Sequence, residues 1–324
     1  YPKATRYTDW REVLDKEKTD AVIVSTPDHM HAPIAFSAMK RGRHVYCQKP
    51  LTHTVHEART LADLARESGV VTQMGNQIQA WAEYRSAVQL VHAGTIGKVK
   101  EVFSWQAGKP SWRLADDRPK GKDPIPEGVH WDSWLGVAPK RPFKETIYHA
   151  FNWRHWQDFS NGQLGDFGCH ILDPVFMSLE LTAPISIEAT APPINREVWT
   201  NSAQVRYVFP GTKRTAGDTI NVTWIDGPGH KPVEQLKGIL PADKLPGSGS
   251  VLIGEKGSLL IPHVGPPKLL PEEKFADAAY PDLERQSHYI LWADACRGEG
   301  KTNSHFGYAG NLTDTVLLGT IAIR

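Results

Sequence analysis

The stretch AVIVSTPDHMHAPIAFSAMKRGRHVYCQKPL, residues 21–51, decides the fold. AVIVS (21–25) is a continuous β-branched run, which is typical of a strand covered on both faces, and HVYC (44–47) is a second short apolar run. HAPIAFSAMKRG (31–42) lies between them and has a helical pattern closed by Gly42. The order strand, helix, strand over this length predicts a parallel βαβ unit.

The same alternation continues for one more unit and then changes. Thr54 and Glu57 have the spacing of a capping box, and the helix that they begin is expected to end before Gly69. VVTQM (70–74) predicts a third strand, and residues 80–94 predict a further helix. The chain after about residue 98 has period-two runs with Gly/Pro punctuation, which predict one largely antiparallel sheet: KVKEVFSWQ, SIEATA, AQVRYVF, TINVTWI and GSLLIP. We therefore expect part of a doubly wound α/β domain followed by an α+β domain.

Composition excludes several classes of protein. The 324 residues are 40% hydrophobic and 23% charged, and the net charge of +1 gives no electrostatic footprint for nucleic acid or an anionic membrane surface. No run approaches the ~18 consecutive apolar residues of a transmembrane helix. Cys47, Cys169 and Cys296 are widely spaced and form no CxxC, so neither a disulfide framework nor a zinc knuckle is indicated. These features predict a soluble, enzyme-sized globular protein.

Both ends of the sequence predict a fragment. The first residue is Tyr1 instead of an initiator Met, and an apolar strand follows within about 20 residues. The last stretch, NLTDTVLLGTIAIR, stops inside an amphipathic helical pattern without a capping Gly or Asn. We expect a cytoplasmic protein by default, or a periplasmic one if an upstream segment carried an export signal.

Polar turns follow three consecutive predicted strands: STPDHMH (25–31), CQKPL (47–51) and QMGNQ (73–77). Ligands of open α/β sheets bind outside the carboxyl ends of the parallel strands. The alternative is that turns simply contain Pro, Gly and Asn. The recurrence at three strand ends, with Lys49 and Asn76 among the residues, favours a site.

The second candidate constellation is NGQLGDFGCHILDPVF (161–176), in which Asp166 and His170 are spaced i, i+4. On a helix these two lie on one face, where a neutral imidazole can take a proton from a hydroxyl and a carboxylate can orient it. The structural alternative is an N-terminal helix carboxylate and a hydrogen-bonded core histidine. A metal site is the other alternative, and its candidate ligands are His29, His31, Asp166, His170 and Asp173. Because HExxH or a similar spacing is absent, no metal is expected.

A dinucleotide fingerprint is also missing from the sequence. The nearest match to GxGxxG is GSGSVL (247–252), which lacks the third Gly and precedes a strand, so we interpret it as a loop. The lack of a phosphate cradle means either that no nucleotide binds or that the relevant turn lies outside this sequence.

The motifs STPDHMHAPIA, QKP, GNQ and GQLGDFGCHILD together resemble the Gfo/Idh/MocA family of NAD(P)-dependent, mostly sugar-directed oxidoreductases. Their order and separation match those of the family, which usually has Glu-Lys-Pro where this chain has QKP. The resemblance implies a Rossmann domain over residues 1–97, lacking its first βαβ unit and glycine-rich turn. It implies an α+β domain over residues 98–324 with a large, mostly antiparallel, open-faced sheet.

The resemblance also implies roles for individual residues. Lys49 would lie beside the nicotinamide and hydrogen-bond the reacting hydroxyl, with a cis peptide bond to Pro50. His170 would act as the base, oriented by Asp166. Residues implied to bind the cofactor are Thr26, Pro27, His31, Gln48, Pro50 and Asn76. Residues implied to bind substrate are His149, Asn152 and Arg154.

The implied function is hydride transfer between NAD or NADP and a secondary hydroxyl of a sugar, polyol or related carbohydrate. Two alternatives remain: an NAD-dependent enzyme that cleaves glycosides by transient oxidation, elimination and re-reduction, and a non-catalytic ligand-binding protein on the same fold. The family also implies a homo-oligomer, dimer or tetramer, paired through the open sheet face. Six of the 11 Trp residues fall between positions 105 and 156; most are expected in the core, and any one of them can stack on a sugar.

Overall fold

The computed structural model describes residues 3–324, which begin with a three-stranded parallel sheet in the order β1–β2–β3. The strands alternate with helices, as the sequence predicts. The capping box of Thr54 and Glu57 is formed, and the helix that it begins ends at Gly69, which adopts a φ of 66°. The elements of this part are α1 (Trp10–Lys16), β1 (Ala21–Val24), α2 (His31–Lys40), β2 (His44–Cys47), α3 (Val55–Ser68), β3 (Thr72–Met74) and α4 (Ala82–His92).

One expectation about β1 is wrong. The continuous apolar run predicts burial on both faces, yet Ile23 is 62% exposed while Val24 is buried. The strand pairs only with β2 and forms one edge of the sheet, and the face that carries Ile23 is not covered within residues 3–324.

The second sheet has seven strands in the order β10–β9–β8–β4–β7–β6–β5. All neighbouring pairs are antiparallel except β4 and β7, so the prediction of a mostly antiparallel sheet is confirmed. The interpretation of GSGSVL as a loop is wrong, because most of it lies in β8 and pairs with both β4 and β9. The strands are β4 (Val99–Gln106), β5 (Ser186–Thr190), β6 (Ala203–Pro210), β7 (Thr219–Asp226), β8 (Ser248–Gly254), β9 (Ser258–Pro262) and β10 (Lys268–Leu270).

Helices pack on one face of this sheet and return the chain to the first sheet. The main core runs continuously from the first strands through Leu164 and Val316 to Val222. The backbone N–H of Met74 donates to Ser304 O at 2.9 Å, so the segment before the last helix lies beside β3. The elements are α5 (Trp131–Leu135), α6 (Gly162–Ile171), α7 (Asp173–Leu179), α8 (His288–Cys296) and α9 (Phe306–Ile323). None of the helices in residues 3–324 is both long and apolar enough to cross a membrane.

The opposite face of the large sheet is only partly open. Phe103 and Trp105 project from β4 into a second hydrophobic cluster, which the chain itself covers with Leu236, Leu240 and Leu245. The outward residues of β5 and β6 stay exposed. The expectation of an open-faced sheet therefore holds only for one half of the sheet.

The tryptophan-rich stretch forms a third, smaller core. Trp131, Trp153 and Trp156 are buried there together with Phe159. Of the six Trp residues between 105 and 156, only Trp134 is not fully buried, and it stacks on Trp131 at 4.9 Å. The expectation that most of these rings belong to the core is confirmed.

Candidate active site

Lys49 lies directly after β2 and reaches the α6 helix of the other part of the fold. Its Nζ donates to both Oδ1 and the backbone carbonyl O of Asp166, each at 2.6 Å. The two side chains are 17% and 18% exposed, so the ion pair is mostly shielded from water. The Lys49–Pro50 peptide bond is cis, as predicted. A lysine at an inner strand end is thus stabilised by a carboxylate from a different element.

Asp166 is shared between two cations. Besides Lys49, the Nε of Arg154 lies 3.5 Å from Oδ1 of Asp166. Asp166 and His170 lie on the same helix, as predicted, but no hydrogen bond joins them within residues 3–324. The expectation that Asp166 orients His170 is therefore not met, because its carboxylate is turned towards Lys49 and Arg154.

The start of α6 is fixed by a buried carboxylate that our interpretation of the sequence missed. Oδ2 of Asp28 accepts hydrogen bonds from the backbone N and the side-chain Nδ2 of Asn161, at 3.2 and 3.3 Å. Asn161 Nδ2 also donates to Thr52 O at 3.3 Å. Burial and the neighbouring Asp166 carboxylate raise the pKa of Asp28 to about 7. The turns after β1 and β2 are in this way tied to the helix that carries Asp166 and His170.

His170 faces a second histidine, His263, which the sequence analysis also missed. The two ring centroids are 5.5 Å apart. Burial is the main reason why the pKa of His170 lies well below its ordinary value, and the charges of Lys49 and His263 lower it further. His170 is therefore a neutral imidazole at pH 7. His263 follows β9, and a polar residue at the end of an apolar strand was the available sequence signal.

His31 does not line an accessible surface, contrary to the family-based expectation. It is 1% exposed, and its Nδ1 and Nε2 lie 2.8 Å from Pro50 O and Thr26 O. Burial lowers the pKa of His31 to about 4, so the neutral ring can donate to only one of these two carbonyls. The residue joins the turns after β1 and β2, where Pro27 begins a short 3₁₀ turn.

Asn76 also lies deeper than a ligand-binding residue should. It is 1% exposed, and its Nδ2 donates to Oδ2 of Asp173 at 2.6 Å. Gln48, by contrast, is only partly buried, and its side chain packs over Gly75, where a Cβ would lie 2.6 Å from Oε1. Of these two candidates, Gln48 is the better placed to contact a ligand.

The three expected substrate residues differ in their surroundings. Arg154 contacts Asp166 and packs over the rings of Phe151 and Trp153. Asn152 is used within the segment between β4 and α6, accepting from Arg113 N at 2.7 Å and donating to Thr146 O. His149 is half-buried against the ring of Trp134.

The residues considered for a metal site are separated by their other contacts. His29 lies 3.1 Å from Leu135 O through Nε2, and burial lowers its pKa to about 4. Asp173 is bound by Asn76 and Tyr308 instead of lying beside Asp166. No group of three or more candidate ligands within residues 3–324 is arranged around one point.

The site therefore brings together the cation of Lys49, the carboxyl groups of Asp28 and Asp166, and the neutral imidazoles of His170 and His263. Two of the three N–H groups of Lys49 bind Asp166, which leaves one for a ligand oxygen. Oγ1 of Thr26 is enclosed without a partner in the described part of the chain and can donate to or accept from a ligand. This arrangement can hold a hydroxyl group, polarise it and take its proton.

Comparison with known proteins gives two matches to the GFO_IDH_MocA oxidoreductase family. Residues 2–76 match its profile for the "NAD-binding Rossmann fold", and residues 85–245 match its profile for the "C-terminal alpha/beta domain". The first of these covers the small parallel sheet, and the second covers α4 together with much of the seven-stranded sheet and α6.

Individual relatives are distant. Levoglucosan dehydrogenase from Pseudarthrobacter phenanthrenivorans is 25% identical over 167 residues, which are 51% of this chain and 34% of that protein. The scyllo-inositol 2-dehydrogenase (NAD(+)) of Bacillus subtilis is 33% identical over 87 residues, 27% of this chain and 25% of that protein. The matched segments thus span about a third or less of these relatives' lengths.

The fold is shared with solved structures. An inositol dehydrogenase homolog from Azotobacter vinelandii, solved with NADH and myo-inositol, has a TM-score of 0.62 and covers 98% of this chain and 80% of its own. At 17% sequence identity this likeness concerns the fold alone. The family matches and the order of the two sheets agree with each other: the chain belongs to the Gfo/Idh/MocA family of oxidoreductases.

Proposed function

We propose that the protein oxidises or reduces a sugar, polyol or related carbohydrate at a secondary hydroxyl, with NAD or NADP as cofactor. The contact between Lys49 Nζ and Asp166 Oδ1, at 2.6 Å and one helical turn from His170, carries the proposal. In this proposal Lys49 is the hydrogen-bond donor, His170 is the neutral base, and the strand-end turns supply further ligand contacts. The named relatives, which include dehydrogenases of levoglucosan and inositol, support the same substrate class.

The strand-end turns fit the nicotinamide end of the cofactor. The hydroxyl of Thr26 is enclosed without a partner among residues 3–324, Gln48 is partly exposed, and Pro50 follows the catalytic lysine in a cis peptide bond. These residues would hold the nicotinamide and its ribose, and when bound the cofactor supplies the hydride acceptor or donor. Since no GxGxxG turn follows a strand in the 324 residues, we assign no residue to the pyrophosphate.

The residues of the chain have separate tasks in the oxidation direction. The free N–H of Lys49 binds the substrate oxygen and stabilises the negative charge that develops as the proton leaves. His170 takes the hydroxyl proton, which its lowered pKa allows because the ring is neutral at pH 7. Asp166 holds Lys49 in place, and Arg154 is a second cation beside the same Oδ1 of Asp166. In the reduction direction the imidazolium returns the proton.

The test uses full-length protein, NAD or NADP and a panel of sugars and polyols, with absorbance recorded at the nicotinamide band. His170→Gln is expected to lower kcat by about 100-fold to 10,000-fold, the usual contribution of a general base. Lys49→Met is expected to have an effect of similar size, since it removes the ammonium donor that we propose binds the substrate oxygen. Lys109→Met, at an exposed position, is the matched control.

Each alternative has its own outcome. Turnover retained in both His170→Gln and Lys49→Met would show that the catalytic assignment is wrong. Release of a sugar without net change in the nicotinamide band would identify a glycoside-cleaving enzyme instead. Ligand binding by calorimetry without any turnover would identify a binding protein.

A homo-oligomer, dimer or tetramer, is part of the same proposal. The half of the large sheet that stays uncovered presents Glu188, Gln204 and Arg206, so an interface there would be polar. Light scattering should give a mass of two or four chains, and Arg206→Glu should shift it towards one chain. A single chain at all concentrations would contradict this part of the proposal.

A further inference from the structure

The pair formed by His170 and His263 has features that the proposed mechanism does not use. The rings lie 5.5 Å apart between centroids, at an interplanar angle of 38°. Nδ1 of His170 and Nε2 of His263 are both buried, and neither has a hydrogen-bond partner within residues 3–324. Buried ring nitrogens without a partner are uncommon, because each costs about 1–3 kcal/mol of desolvation.

Both histidines line the same small cavity between α6 and the end of β9. Its volume is about 20 Å³, which is enough for one water molecule. The hydroxyl of Tyr84, a third residue of the lining, is turned towards Asp173 and Tyr308 and does not serve this cavity. The two unpartnered ring nitrogens belong to residues that line this one space, which meets the requirement that a buried water has two to four polar partners.

We propose that His263 and one water molecule in this cavity form a relay that carries the proton from His170 towards solvent. The relay rests on the proposed function, in which His170 takes the proton of a substrate hydroxyl. His263 acts through His170 and touches no reacting atom, so it is a positioning and relay residue. The ring of His263 is partly exposed, and the next residue, Val264, is 63% exposed, which gives the proton a route outward.

The proton balance fixes the tautomers of both rings. Nδ1 of His170 is buried without a partner within residues 3–324, so we assign the proton from the substrate O–H to Nε2. The Nδ1–H bond of His170 then breaks as that proton passes to the water, and an O–H proton of the water passes to Nε2 of His263. The proton on Nδ1 of His263 leaves to solvent. The net result is one proton moved from substrate to solvent, with no change in oxidation state. Both rings are left in the opposite tautomer, and proton exchange with solvent restores the first tautomer before the next turnover.

The charges around the pair favour release over storage of the proton. Burial and the Lys49 ammonium lower the pKa of both rings. A proton that reaches either imidazole is therefore held weakly and passes on. The titratable or charged groups that face the pair are Lys49, Asp166, Glu83, Tyr84 and His288.

The first experiment needs no turnover. Histidine side chains labelled with ¹³C and ¹⁵N are titrated by NMR in the wild-type protein and in the variants His170→Gln and His263→Gln, which also assign the two signals. We expect Nδ1–H on neutral His170 and an unprotonated Nε2 on His263, and a change of about one pK unit in each ring when the other is replaced. His56→Gln, in an exposed position on α3, is the control. The opposite tautomer in either ring, or titrations that the partner's replacement leaves unchanged, would overturn the relay.

The second experiment measures the relay during turnover. His263→Gln keeps a hydrogen-bonding side chain that cannot titrate, and His263→Phe keeps only the shape. Both variants are expected to lower kcat about tenfold with KM unchanged. This loss is smaller than the full contribution of general acid–base catalysis, because His170 is still present. The solvent deuterium dependence of kcat should be curved in the wild type, because more than one proton moves, and linear in both variants. A curved dependence in the variants would overturn the relay. If no substrate is turned over at all, the proposed function fails, whereas the NMR titration still decides the arrangement of the pair.

Discussion

Asp173 gives this fold a pH-dependent free energy of unfolding that the substitution Asp173→Asn should remove. The carboxylate is 1% exposed at the start of α7. Asn76 donates to it at 2.6 Å, Gln79 donates at 3.3 Å, and the hydroxyl of Tyr308 donates as well. Burial outweighs these hydrogen bonds and raises the pKa of Asp173 from 3.8 to about 7.

The sign and size of the effect follow from this shift. Because the folded pKa lies above the unfolded one, the contribution of Asp173 to stability is complete below about pH 4 and is lost as the pH rises to about 7. A difference of about three units at 1.36 kcal/mol per unit amounts to about 4 kcal/mol. About 3 kcal/mol of that loss falls between pH 5 and pH 8. An amide in place of the carboxyl keeps the shape and has no charge to desolvate.

Urea unfolding followed by tryptophan fluorescence at pH 5, 6, 7 and 8 measures the effect. The free energy of unfolding of Asp173→Asn minus that of the wild type should rise by about 3 kcal/mol from pH 5 to pH 8. Other buried groups also make the free energy of unfolding depend on pH in this range. Asp28 and Asp226 contribute with the same sign as Asp173, and His31 contributes with the opposite sign. Subtracting the wild-type value from that of the variant removes these contributions. Asp132→Asn, whose side chain is 82% exposed, is the control. Parallel curves for the Asp173→Asn variant and the wild type would refute the reasoning.

Three further predictions concern stability. Asn161→Ala should lower the free energy of unfolding by about 1–3 kcal/mol, because it leaves the buried carboxylate of Asp28 with fewer donors, and Asn161→Asp should not restore it. Leu236→Ala should lower the free energy of unfolding by about 2–5 kcal/mol and change the fluorescence emission of Trp105, since both side chains are fully buried in one cluster. Unchanged emission would contradict the finding that Leu236 covers the sheet face from which Trp105 projects. Thr54→Ala should cost about 0.5–2 kcal/mol in urea unfolding through loss of the α3 cap, while Thr54→Ser should cost little.

The local signals in the sequence were sufficient for the first sheet. A β-branched run, a helical pattern, a capping box at Thr54 and a positive-φ Gly69 each act over a few residues, and all of them are found in the structure. The exposure of Ile23 was not predictable in the same way, because it depends on which face of the strand is covered by distant elements.

The site shows the same division between local and distant effects. The i, i+4 spacing predicted that Asp166 and His170 share a helix, and they do. The spacing could not show that Lys49, 117 residues earlier, would compete for the carboxylate. His263 was missed for a related reason: it joins the site from β9, and no periodicity links it to His170.

The charge balance around Lys49 explains why Asp166 is turned away from His170. The family resemblance places a glutamate before this lysine, whereas this chain has the neutral Gln48, so Lys49 has no anionic neighbour in its own turn. Asp166 is the nearest carboxylate to its ammonium group, at 2.6 Å, and a partly buried cation without such a partner would be strongly destabilising. Because of this contact, no carboxylate among residues 3–324 is hydrogen-bonded to His170 to fix its tautomer. In the proposed relay, the water in the cavity that His170 shares with His263 orients the ring instead.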